Sequence, residues 1–216
     1  MTPTQKTELL EAANAHFAAD MLIKGTYADN EDESFKGCSV GCFAHSALPD
    51  ETPEKLGNRS DLHAIVANHF GYPVWLAHLQ DTIFEGLPNG ESKKWHVQLA
   101  ETLATLPDDH DWQLALHRVH AAILRISYRT AGSAQEAVKT VLDLHERAGR
   151  GEDVSEDLWS AARSTTWSTS WSAAYAAAWY ATWSTSWSTP WSTPWSAAYQ
   201  EIRDAVLAAL ANKETP

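Results

Sequence analysis

Cys38, Cys42 and His45 stand at i, i+4 and i+7 within FKGCSVGCFAHS. On a helix that spacing sets two sulfurs and an imidazole along one face. Thiolate and imidazole are good zinc ligands, and His63, His69 or His78 can supply a fourth. Against a zinc site, Gly37 and Gly41 are poor helix formers, and structural zinc sites more often pair cysteines two to four apart with a second pair elsewhere. The same cysteines suit the plainer role of small buried hydrophobes under a loop.

Two further groups carry titratable side chains at useful spacing. His110 and Asp111 form a His-Asp pair within DDHDW, and His117 and His120 follow one turn apart on the next helix. Asp81 and Glu85 stand one turn apart in LAHLQDTIFEGLP, where two carboxylates fit acid–base work or a solvated helix flank. The His-Asp group resembles the constellation of helical metal-dependent phosphohydrolases. Its acids also fall where helix caps are expected. The Cys-x3-Cys-x2-His spacing is similar to the radical-SAM cluster motif with its third cysteine replaced, in a chain too short and too helical for the usual barrel. There is no Gly-rich phosphate loop, no Gly-x-Ser-x-Gly elbow and no His-Glu-x-x-His.

The elements that must hold these groups are helices. Thr4 can cap a helix through Leu9, Leu10, Ala13, Phe17 and Met21 that stops at Gly25. Ser60 or Asp61 opens a short helix, Leu62 to Phe70, ended by Gly71. Tyr72-Pro73 begins the next, with Gly86 after its end. Asn89 to Leu106 follows, and Asp109 or Asp111 opens a longer one with Leu114, Leu116, Val119, Ile123 and Ile126. Ser133 and Glu136 resemble a capping box before AVKTVLDLHERAG. No run of alternating strand pattern is present, and Ala28 to Arg59 reads mostly as loop apart from the Cys-His piece. The expectation is an all-α fold, with a helical globular domain over residues 1–155.

Residues 156–216 differ in composition. No charged residue occurs from Ser164 to Gln200, and eight of the eleven tryptophans lie from Trp159 onward. Trp159, Trp167, Trp171, Tyr175, Trp179, Trp183, Trp187, Trp191, Trp195 and Tyr199 fall on one four-residue lattice. Four helical residues advance about 400°, so each ring is displaced by about 40° from the last. Nine steps close the circle, and nine separate Trp159 from Trp195. A straight helix would show rings on every side, which requires neighbours all round. A right-handed coil would keep them on one face. The pattern predicts a helix from about Glu156 to Ser188, a kink near Pro190 and Pro194, and an amphipathic helix from Pro194 to Asn212. Trp167 to Trp195 are the candidate positions for packing against a partner or ligand.

Net charge is −12 with histidines neutral, which argues against unaided binding to a polynucleotide backbone. Two closely spaced cysteines make no disulfide framework, and the N-terminal stretch is an amphipathic helix without the apolar core of a signal peptide. A cytoplasmic protein is expected. The Trp tract holds many Ser and Thr residues and two prolines, so no membrane span is expected.

GCSVGC…H, then YPVWLAHLQDTIFEGLP, then a tail of small residues with periodic rings resembles a loose family of uncharacterised bacterial and prophage-type proteins. In those a helical N-terminal domain precedes Ala-rich tails with repeated Tyr, Trp, Asp or Arg; this tail substitutes Ser, Thr and Trp and adds prolines. The resemblance implies an all-α chain and transfers no catalytic residue. It suggests a phage or bacterial-conflict setting, with sequestration of a partner or an immunity-like role. The expected function is non-enzymatic binding or self-assembly through a protein partner or a second copy. The alternatives are a metal-dependent enzyme using Cys38, Cys42 and His45 or the His-Asp group, and a small-ligand or nucleotide binder with stacking tryptophans.

Overall fold

Thr2 starts the first helix, α1 (Pro3–Ala18), with a capping box: its hydroxyl accepts from the Gln5 N–H, and the Gln5 side chain accepts from the Thr2 N–H. The cap lies two residues ahead of Thr4, because Pro3 at the first helical position is already set for helix. The helix ends at Ala18 instead of running to Gly25: Asp20 turns to φ 53° and the Met21 N–H bonds back to the His16 carbonyl. The computed structural model describes residues 1–29, 34–167 and 193–212.

Among the described residues the other helices are α2 (Ser39–Ala47), α3 (Pro53–Gly57), α4 (Leu62–Phe70), α5 (Val74–Gly86), α6 (Asn89–Thr105), α7 (Trp112–Tyr128), α8 (Gln135–Gly149), α9 (Glu156–Trp167) and α10 (Thr193–Leu210). Gly71 closes α4 at φ 78°, a left-handed conformation that glycine adopts without cost. Asp111 caps α7 by accepting from the Gln113 and Leu114 N–H groups. A 3-10 turn, Gly132–Ala134, leads into α8. Among the described residues there is no strand, only isolated bridges pairing Leu22 with Gly37 and Asp29 with Lys36. The fold is all-α.

The chain divides into two compact units, Met1–His110 and Asp111–Pro216. Composition changes near residue 155 and compactness changes at 110, so the composition boundary falls inside the second unit.

In the first unit α2 is the hub, packed against α1, α3, α4 and α5. Its residues Ser39 to Ala44 are all buried. Gly37 and Gly41 weaken helix propensity, yet they are required here: a Cβ on either would overlap the Tyr27 carbonyl, which the loop before α2 lays across this turn. That loop is held by bonds from Ile23 N–H to Gly37 O at 2.9 Å and from Cys38 N–H to Thr26 O at 2.8 Å. The two glycines therefore serve a close backbone approach.

In the second unit α7 packs on α8 and α10, and α8 packs on α9. Small residues dominate its core: Ala115, Ala121, Ala122, Ala148, Ala162, Ala205 and Ala209 are buried beside Val119, Val138, Leu142 and Leu210. The helix expected to Ser188 is described as far as Trp167, and Thr193 resumes the chain in α10, one residue before the expected Pro194. The remaining lattice positions, Trp171, Tyr175, Trp179, Trp183, Trp187 and Trp191, lie outside the described residues, as does the proposed coil. No helix among the described residues is long and apolar enough to cross a membrane.

Candidate functional site

Cys38 is the N-cap of α2 instead of a member of its face. Its Sγ accepts from the Gly41 N–H at 3.4 Å and its thiol donates to Asp81 Oδ1 on α5 at 3.3 Å. Glu85, one turn along α5, accepts from the Gly25 N–H through both oxygens, at 3.2 and 3.1 Å. Gly25 presents that N–H from a turn at φ 84°. Cys38, Asp81 and Glu85 thus converge, each offering a ligand atom within 4.8 Å of the others. Tyr27 donates its hydroxyl to Asp81 Oδ2 at 3.4 Å, and His63 Nε2 lies 3.3 Å from the same oxygen. Asp81 and Glu85 are therefore the wall of a partly closed acidic site, not a solvated helix flank.

Electrostatics of this site run in one direction. Burial and then the Asp81 charge hold the Cys38 thiol well above its ordinary value. Tyr27 is pushed up to about 12 by the same two causes. Burial raises Glu85, with Asp81 adding to it while the Gly25 N–H and Lys24 oppose. Lys24 donates to the Leu87 carbonyl at 2.6 Å, and burial lowers its own value. Burial thus favours the protonated forms of Cys38, Tyr27 and Glu85, and a bound cation reverses that preference.

The sequence-predicted ligand set is distributed differently. Cys42 turns its thiol to the carbonyls of Gly37 at 3.5 Å and Met21 at 3.7 Å, a buried small hydrophobe with weak donors. His45 stacks on Phe35 with ring centroids 4.0 Å apart. Of the three possible fourth ligands, His63 adjoins Asp81, His78 stacks on His63 at 4.0 Å, and His69 pairs with Glu8 at 2.6 Å. Of the His110-Asp111 pair, Asp111 is spent on the α7 cap, and the His110 backbone N–H donates to the Pro107 carbonyl at 3.2 Å. Trp167 ends α9 and Trp195 lies in the first turn of α10.

Behind the acidic site runs a buried hydrogen-bond chain that sequence reasoning missed. The Tyr72 hydroxyl donates to Gln80 Oε1 at 2.8 Å, and Gln80 Nε2 donates to Ser39 Oγ at 2.5 Å. Ser39 Oγ lies 2.8 Å from His96 Nδ1, His96 Nε2 lies 3.2 Å from His16 Nδ1, and His16 Nε2 lies 2.9 Å from Ser46 Oγ. If Gln80 donates to Ser39, the serine proton passes to His96 Nδ1. Each imidazole then carries one proton, on Nε2, and donates onward, so a neutral state satisfies every link. Burial, followed by the His45 charge, lowers His16 to about 4, and burial with His16 holds His96 well below its ordinary value. The only sequence signal was two histidines on apolar helix faces, His16 beside Ala13 and His96 beside Leu99.

In the second unit His117 Nδ1 and His145 Nδ1 are 3.0 Å apart, and the His120 ring meets His145 at 4.8 Å. Trp159, the first ring of the lattice, covers His117 at 5.6 Å and His145 at 4.9 Å.

Fold and site together define a class: an all-α chain of two helical units, the first carrying a thiol–carboxylate cluster. Comparison with protein-family models, curated proteins and solved structures finds no match.

The neutral histidine chain sets a pH dependence. His16 binds its proton more weakly folded than unfolded, so the unfolded state takes up protons first as pH falls. Stability conferred by neutral His16 is complete above about 6.5 and is lost down to about 4, a difference on the order of 3 kcal/mol. The urea midpoint should fall across that window, and His16→Gln should flatten the fall. An equally steep fall in the variant contradicts this assignment.

Proposed function

We propose that this chain is a binding protein whose first unit holds one divalent transition-metal ion between Cys38, Asp81 and Glu85, with His63 beside Asp81 as the fourth donor. The observation that carries this is the convergence of one sulfur and two carboxylates from α2 and α5 within 4.8 Å. The 3.3 Å between Cys38 Sγ and Asp81 Oδ1 suits two ligands of one tetrahedral ion. A thiolate selects zinc over magnesium or calcium. Three anionic ligands more than neutralise a dication, which weakens its hold on a reactive hydroxide and favours a binding or structural role over hydrolysis. Cobalt added to the full chain should produce a thiolate-to-metal absorption band. Cys38→Ser should abolish the band, Asp81→Asn should weaken binding by roughly tenfold or more, and Cys42→Ser should leave it intact. A band that survives Cys38→Ser, or one that needs Cys42, sinks the assignment.

The aromatic repeat favours a second role, self-association or capture of a protein partner. Its support is that Trp159, at one end of the lattice, lies on the histidines of α7 and α8, and Tyr199 of α10, at the other, is half-buried. A sequence so dense in aromatic rings calls for apolar neighbours. Sequestration within a bacterial or phage conflict is the setting suggested by the resemblance. Replacing Trp179, Trp183 and Trp187 together by Ser should lower the mass seen in sedimentation. An unchanged mass counts against self-association.

A further inference from the structure

The second unit contains a cluster of histidines with no acidic partner among the described residues. His117 and His120 are one turn apart on α7, and His145 reaches them from α8. His117 Nδ1 and His145 Nδ1 stand 3.0 Å apart, with their rings tilted by 47°. Two imidazole nitrogens bound to one tetrahedral zinc stand about 3.4 Å apart, so the pair is already near ligand spacing. His120 lies at 84° to His145 with centroids 4.8 Å apart; the ligand atoms of the three histidines do not yet all lie within 4.8 Å of one another, so ligation requires the His120 ring to turn. Trp159 of α9 closes one side of the cluster.

We propose that His117, His120 and His145 bind one divalent transition-metal ion through nitrogen alone. Imidazole sites of this kind suit zinc, nickel and copper and reject magnesium and calcium. His120 is exposed, and His117 and His145 are half-buried. An ion there ties α7 to α8 directly beneath Trp159, at the root of the aromatic lattice. The site is independent of the thiol–carboxylate cluster of the first unit and shares no ligand with it.

The test uses the full chain carrying Cys38→Ser, titrated with zinc and with cobalt. One equivalent should bind, and the cobalt spectrum should lack any sulfur-to-metal band. Adding His145→Gln should abolish uptake, and His120→Ala should weaken it by roughly tenfold or more. His69→Gln, at a histidine paired with Glu8, should change nothing. The proposal is overturned if uptake persists in both His145→Gln and His120→Ala. It is equally overturned if the Cys38→Ser chain, with its helical circular dichroism intact, binds no ion. Failure of the thiolate site leaves this result unaffected, because that failure is read from the sulfur band of the unsubstituted chain.

Discussion

Two neighbouring residues at the start of α2 bond to two neighbouring residues of α5: Cys38 to Asp81 at 3.3 Å, and Ser39 to Gln80 at 2.5 Å. The first contact faces the acidic site and the second faces the core. Ser39 and Gln80 are fully buried, so their bond is made in a low dielectric and is costly to break. It fixes the depth of α2 against α5 and with it the separation of sulfur and carboxylate. Trp95 strengthens the same region by donating its indole N–H to the Gln80 carbonyl at 3.0 Å. The histidine chain then extends the constraint to α1 and α6 through His16 and His96.

This arrangement sets unlike environments back to back. On one side, Cys38 and Glu85 are held in favour of their protonated forms. On the other, two imidazoles are held neutral. Both depend on α2 approaching its neighbours closely, which Gly37 and Gly41 permit by leaving room for the Tyr27 backbone. The second unit follows the same logic with simpler parts: alanine-rich faces let α7, α8 and α10 come close, and three histidines fill the seam under Trp159.

Local signals made much of the fold legible. Gly71 and Asp111 mark the end of α4 and the start of α7 through turn and cap chemistry, while Asp61, Pro73 and Asn89 stand at the starts of α4, α5 and α6 without a capping side-chain bond. The helix α8 starts behind Ala134, which gives no side-chain cap, instead of behind the expected Ser133–Glu136 capping box. The start of α1 moved because Thr2 and Pro3 outcompete Thr4, and α3, a single five-residue helix, gave too short a pattern to recognise. Cys38 was visible as a ligand, and Asp81 and Glu85 were visible as a carboxylate pair. Their union was not, since 43 residues separate Cys38 from Asp81 and only the packing of α2 on α5 joins them. Cys42 and His45 were grouped with Cys38 on the assumption of one continuous helix. Cys38 is instead a cap with extended backbone, ψ 177°, so its sulfur leaves that face. His145 carried no local signal, because its partners lie on another helix.

Zinc-edge X-ray absorption on the loaded chain carrying His145→Gln tests the central claim most directly, since only the first unit's site is then filled. One sulfur at about 2.3 Å with the remaining ligands light atoms at about 2.0–2.2 Å is the predicted shell. Two sulfurs, which would bring Cys42 into the site, or none at all, would contradict the account.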